Sequence, residues 1–339
     1  MDTLARYAHP PFNYLGTTLF LSYILLALYF TLSISTSLYA QYKRLPSLKL
    51  AEDVKNARTR HIKIYAFLAS ISFAILSYNM LNFLIQSLTV WARTQNLLGR
   101  RVSLLGLRYW MLETNLFETF AQELVSKRPN AFWTQAALLE TWFWNVWMAY
   151  KAQQHKFSVR TMVPYIVLGQ ILPITFTASL FLVQLHLDAV GFLPDLKKSE
   201  NMKTGDCSKA PSPVAPDVNT SSQTRKTSLV LPTIIFNAAL MALSSLRNNS
   251  IFIPLVLFTR LLLLVLHTGR IRFSKNDLLQ SVSISFGFFV ANITMSRGTT
   301  TFQEIITGLR NGGFATKTLG YDAEFGLLLC AILRWGGGV

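Results

Sequence analysis

Three ionisable residues stand where the surrounding sequence is almost wholly apolar. Glu140 lies midway along Ala131 to Tyr150, a run with no other ionised side chain, and Arg260 lies nine residues into the run from Ile251 to His267. Asp322 opens the weaker run Thr318 to Leu333, which also contains Glu324. An ionisable group in mid-span costs on the order of 2.5–3.5 kcal/mol on insertion scales, so each needs a partner, a polar cavity or a function. At about 100° per residue, Trp133, Glu140, Trp144 and Trp147 fall on one helix face, so indoles frame the carboxyl group. Carboxylic acids kept from water hold their protons, and aromatic faces stabilise a cation by about 2 kcal/mol or more in a dry site. That combination suits general-acid chemistry on an apolar substrate. The same residues also suit an interhelical hydrogen bond or ion pair, with the tryptophans as anchors at the membrane interface.

Arg260, roughly 13 Å deep by helical rise, is expected to meet Glu140 or Asp322, or an acidic group on a substrate. If the last span begins a turn later, Asp322 and Glu324 become solvated flanks. Ser72, Asn79, Asn82 and Gln86 share a face of the second span and are read either as contacts to a substrate or as links between helices. Gln170 precedes Pro173, which is expected to kink the fourth span and free backbone carbonyls. His186 and Asp188 are spaced for a proton relay or for an ordinary helix-end pair. The candidate catalytic residues are therefore Asp322 and Glu140, and the candidate substrate contacts are Trp133, Trp144, Trp147, Arg260, Asn79, Asn82 and Tyr321. The chain lacks an Asp-rich diphosphate motif, an HExxH pair, a Walker loop and a GxGxxG fingerprint. Neither a metal nor another cofactor is expected.

The elements that must hold these residues follow from the composition. Of 339 residues, 51% are hydrophobic and only 14% charged, which leaves too little polar surface for a soluble globule. The apolar runs, three of them interrupted by the charges named above, reach or approach the length that crosses a bilayer, about 20 apolar residues. They are Tyr14 to Tyr39, Ile64 to Ala92, Ala131 to Tyr150, Thr161 to Leu187, Thr227 to Leu246, Ile251 to His267, Leu278 to Ser296 and the short Thr318 to Leu333. The expected fold is all-α, a polytopic transmembrane helical bundle of about eight spans. Residues 1–193 form a four-span half with an amphipathic interfacial helix near 100–125, and 229–339 supply the remaining spans of one membrane domain. The Pro- and Ser-rich stretch 194–228 reads as a flexible linker. With basic residues dominating the first loop, the N-terminus is expected outside the cytosol and the Asn219-Thr220-Ser221 sequon in the lumen. The net charge of +16 is assigned to anionic headgroups, making the lipid bilayer the partner rather than nucleic acid. Cys207 and Cys330 allow no disulfide framework. The sequence sets no oligomeric state.

The chain resembles the fungal integral-membrane terpene cyclases of meroterpenoid and related sesquiterpenoid pathways. The resemblance rests on span order, the start His9-Pro10-Pro11-Phe12-Asn13-Tyr14-Leu15-Gly16, the Trp-rich third span and Leu319-Gly320-Tyr321-Asp322-Ala323. It implies a metal-independent cyclase of an apolar prenylated substrate of farnesyl type. Protonation of an epoxide or olefin by membrane-embedded carboxylic acids would start a carbocation cyclisation in secondary-metabolite biosynthesis at the endoplasmic reticulum. Asp322 is the carboxylate that the resemblance matches; Glu140 comes from the residues alone. This chain is longer than the seven-span members and carries the 194–228 linker. A small-molecule transporter and a non-catalytic membrane scaffold are the competing expectations.

Overall fold

Long apolar runs without helix breakers satisfy their backbone groups most economically as helices. A computed structural model describes residues 10–45, 52–96, 103–203, 227–296 and 301–336. Among them the chain is all-α, with twelve helices. The first half holds α1 (Tyr14–Arg44), α2 (Glu52–Thr94), α3 (Leu104–Glu113), α4 (Leu116–Leu124), α5 (Arg128–Gln154), α6 (Val159–Ile171) and α7 (Ile174–Lys203). After it come α8 (Val230–Ser245), α9 (Phe252–Val265), α10 (Lys275–Ser296), α11 (Phe302–Asn311) and α12 (Phe314–Trp335). Thr227–Ser228 and Ile271–Arg272 form a two-residue parallel pair before α8 and α10. Two helices, α1 and the Lys55–Thr94 part of α2, are long and apolar enough to cross a membrane. On α1 the side chains of Leu25, Tyr29 and Leu32 lie exposed, an apolar surface that water would disfavour.

Local chemistry sets the helix starts. Asn13 accepts the Gly16 N–H at 2.9 Å and donates to Asn115 Oδ1 at 2.6 Å, so it caps α1 while tying it to the α3–α4 corner. A Cβ on Gly16 would strike the Asn13 amide, which explains the glycine. The predicted interfacial helix is two helices, α3 and α4, broken at Thr114 and Asn115; α3 buries Trp110 and Leu112 and leaves Leu104 86% exposed. Thr301 and Glu304 form a reciprocal capping box on α11, a helix that the run lengths alone do not reveal.

Two expectations need correction. The fourth run is broken rather than kinked: Leu172 takes an extended conformation before Pro173, and α6 and α7 are separate helices. The linker is not irregular throughout, because α7 continues to Lys203 and Thr227–Ser228 pair as a strand; residues 204–226, with the sequon, lie outside the described residues. The last run, weakest in the sequence, forms a 22-residue helix packed against α2, α5 and α7. The final helix therefore packs among elements of the first half.

Glu123 at the end of α4 starts α12. Its Oε1 accepts the N–H groups of Ala315 at 2.8 Å and Thr316 at 3.4 Å, where the helix dipole favours negative charge. A Cβ on Gly313 would overlap this carboxylate, so glycine permits the approach. Burial raises the Glu123 pKa above its ordinary 4.5, against the opposing pull of the two N–H groups and Lys317. The folded state thus holds the proton more tightly than the unfolded chain. The resulting stabilisation is present in full below about 4.5 and is lost as pH rises through the raised value. Thermal unfolding in detergent between about pH 4 and pH 7 should show this decline in the wild type. The Glu123→Gln variant should lack it.

Candidate active site

Two features lie near the contact between α5 and α12. The first is a cavity of about 570 Å3, within the roughly 300–1,000 Å3 typical of small-molecule sites. Its floor is α5 and its walls are α10 and α12. Phe143, Trp144, Trp147, Phe286 and Phe289 supply aromatic surface, and among the described residues Glu140 is the one charged side chain that lines it. Phe286 and Leu327 at the rim are 66% and 70% exposed, so the mouth is bordered by apolar helix flanks.

Glu140 is held from two sides. Trp144, one turn on, donates its indole N–H to Glu140 Oε1 at 3.1 Å, while Oε2 is buried with no hydrogen-bond partner among the described residues. Opposite it, Gly326 of α12 leaves the space the carboxyl group occupies; any Cβ there would overlap it. Small residues let helix backbones approach in this way. Trp144 and Trp147 meet edge to face with ring centroids 5.4 Å apart.

The second feature is the break between α6 and α7. Pro173 has no N–H, and the first turn of α7 offers donors without intrahelical acceptors. Asp322, 4% exposed, meets them with both oxygens: Ile174 N–H donates to Oδ2 at 2.9 Å and Thr175 N–H to Oδ1 at 3.1 Å. The Thr175 hydroxyl donates to the Asp322 carbonyl at 3.0 Å. Asp322 lies outside the cavity lining, yet near enough for its charge to act on Glu140 and Arg260. Gln170, just before the break, has both amide atoms buried without a partner among the described residues.

The expected ion pair of Arg260 is not formed. Among the described residues no carboxylate lies within 4.0 Å of it, although Asp322 and Tyr23 are within electrostatic reach. The physical reason is that Asp322 is committed to the α7 N–H groups and the Glu140 carboxyl group is held between Trp144 and Gly326. Of the other candidates, Trp144 and Trp147 line the cavity, whereas Trp133 donates to the Ile305 carbonyl at 2.8 Å and lies outside it. Asn79 and Asn82 donate to the carbonyls of Ile75 and Tyr78, one turn back on α2. Tyr321 is half-buried and outside the lining. His186 stacks on Tyr65 with centroids 5.5 Å apart, while Asp188 faces His155 at 3.6 Å, so the two do not form a relay. Phe143, Phe286, Phe289, Cys330 and Gly326 were not singled out from the sequence, where nothing distinguishes an aromatic wall from ordinary lipid contact.

Compared with known proteins, the chain matches no family model, and no curated protein or solved structure matches it.

Replacing Asp322 by Ala leaves two buried N–H groups unpaired, at about 1–3 kcal/mol each. Thermal unfolding of the purified protein should report this loss, with Asp322→Asn intermediate because its Oδ1 still accepts one bond. An unchanged midpoint in Asp322→Ala would show that the cap contributes nothing.

Proposed function

We propose that the protein is a membrane-bound terpene cyclase of about eight spans, residing in the endoplasmic reticulum, with Glu140 as its general acid. The observation that carries this reading is the aromatic cavity whose single charged side chain is a carboxyl group with one oxygen unpartnered. Exposed apolar residues on helices besides α1 and α2, among them Leu231 and Ile234 on α8 and Leu261 on α9, support the wider membrane reading. At about 24 and 21 Å, α8 and α9 span a core of about 30 Å only with their flanking turns.

The chemistry requires a proton donor, exclusion of water and a wall that holds the chain folded. Glu140 transfers its proton to the epoxide oxygen or terminal olefin of a farnesyl-type chain, while the Trp144 N–H stabilises the carboxylate that is left. Ring closure moves positive charge along the chain, and Trp144, Trp147 and Phe286 face it with their π systems. Loss of a proton from the final cation to the same carboxylate restores the acid, so no net oxidant or reductant is consumed. Holding the chain folded beforehand removes conformational freedom that would otherwise oppose closure. Asp322 serves as a positioning residue here: both oxygens already accept hydrogen bonds, and it fixes α7 against α12. The absence of an Asp-rich diphosphate motif from the sequence supports metal independence.

The helix break favours a second reading, a small-molecule transporter. Discontinuous helices with ionisable groups nearby are the usual substrate sites of such proteins, and Asp322, Gln170 and Arg260 lie at or near this one. The two readings separate on Glu140. In microsomes given a farnesylated or epoxyfarnesylated aromatic substrate, Glu140→Gln should lower cyclised product on the order of 10²–10⁴-fold at unchanged protein level, with a chelator leaving the wild type active. Asp322→Asn should lose activity only in proportion to its stability. Full turnover by Glu140→Gln would remove the cyclase assignment, and substrate flux without product in proteoliposomes would install the transporter.

A further inference from the structure

A second cavity, of about 460 Å3, lies at the start of α5, lined also by the end of α8, Asn292 of α10 and Ile305 of α11. Its character is opposite. Lys127, Arg128 and Arg247 line it together with Ser126, Asn248 and Asn292, and among the described residues no carboxylate lines it. Arg247 is held in place by donating to the Ser126 carbonyl at 2.5 Å; Lys127 and Arg128 are exposed. Cations gathered without a counter-charge are an unbalanced arrangement that an oxyanion resolves. Phe132 of this pocket touches Phe289 of the Glu140 cavity, with ring centroids 5.2 Å apart. Beside that contact Asn292 donates to Gln135, joining α10 to α5. The rise from Lys127 to Glu140 along α5 is about 20 Å, from the level of the helix end to its middle.

We infer that the substrate of the Glu140 cavity is an amphiphile whose phosphate-class head sits among Lys127, Arg128 and Arg247 while its chain runs past Phe132 and Phe289 to the acid. This rests on the cavity being a prenyl-chain site, as proposed above. It assigns the specificity to charge at the helix end and leaves the reaction to the apolar interior. The orientation also matches a bilayer, with the head at the interface and the chain in the hydrocarbon. Three side-chain cations neutralise the head where a metal would otherwise be needed.

Cys330 lines the apolar cavity and is exposed there, and the chain has only one other cysteine, Cys207. In full-length Cys207→Ser protein in phosphatidylcholine nanodiscs, the rate of Cys330 modification by an apolar maleimide reports occupancy. Farnesyl phosphate should protect at a concentration about tenfold below farnesol, the worth of one charge-assisted hydrogen bond. Inorganic phosphate should not protect. Lys127→Gln combined with Arg128→Gln should bring farnesyl phosphate to the level of farnesol without altering protection by farnesol. Equal protection by both compounds in the parent protein overturns the inference and leaves the cavity reading standing. Protection by neither overturns both. Loss of the preference when phosphatidylglycerol is added would assign the pocket to a lipid headgroup, and protection by inorganic phosphate would show an indirect effect; either also overturns the inference.

Discussion

Backbone N–H groups at a helix end have no acceptor of their own, and inside an apolar bundle water does not supply one. Two carboxylates answer this need in series. Glu123 on α4 receives the start of α12, and Asp322 on α12 receives the start of α7. Each pairs a buried negative charge with the positive end of a helix dipole, so two costs of burial offset one another. The chain of caps fixes the height and rotation of α12 relative to both neighbours. Everything at the candidate site depends on that rotation, because it turns Gly326 toward α5 and Asp322 toward α7, one turn apart on the same helix.

From that placement the division of labour between the two acids follows. A carboxylate that already accepts two N–H bonds and anchors a helix break is poorly suited to give up a proton. The acid opposite the glycine is different: one oxygen accepts from Trp144, the other meets no donor, and the space beside it is apolar and walled by aromatic rings. Under the proposed function, the acid that borders the cavity is Glu140, and Asp322 remains the cap of α7. Arg260, with no acid of its own, adds a positive charge within electrostatic reach of Asp322 without displacing it from the cap.

The polar residues that do not enter the site show how a helix in an apolar setting disposes of them. Asn79 and Asn82 turn back to carbonyls on their own helix, and Trp133 finds the backbone of α11. Thr233 and Asn237 meet Ser281 and Ser285 between α8 and α10 in the same spirit. Such contacts satisfy single groups locally. None of them needs a cavity, and a polar stripe at helical spacing is therefore a poor guide to one.

What the sequence determined by itself was the all-α class and the expense of three charges, because run length and charge content are properties of a segment read alone. It marked Glu140 with its indole frame, and the break site through Pro173, since proline acts on its own backbone whatever surrounds it. Tertiary structure decided which acid borders a cavity. It also decided that the last helix packs among the first half's elements, that no carboxylate among the described residues pairs with Arg260, and that Phe132 of a basic pocket touches Phe289 of an apolar one. Those outcomes turn on contacts between residues far apart in the chain, Glu140 with Gly326 and Asp322 with Ile174. No periodicity within either segment encodes the rotation that brings them together.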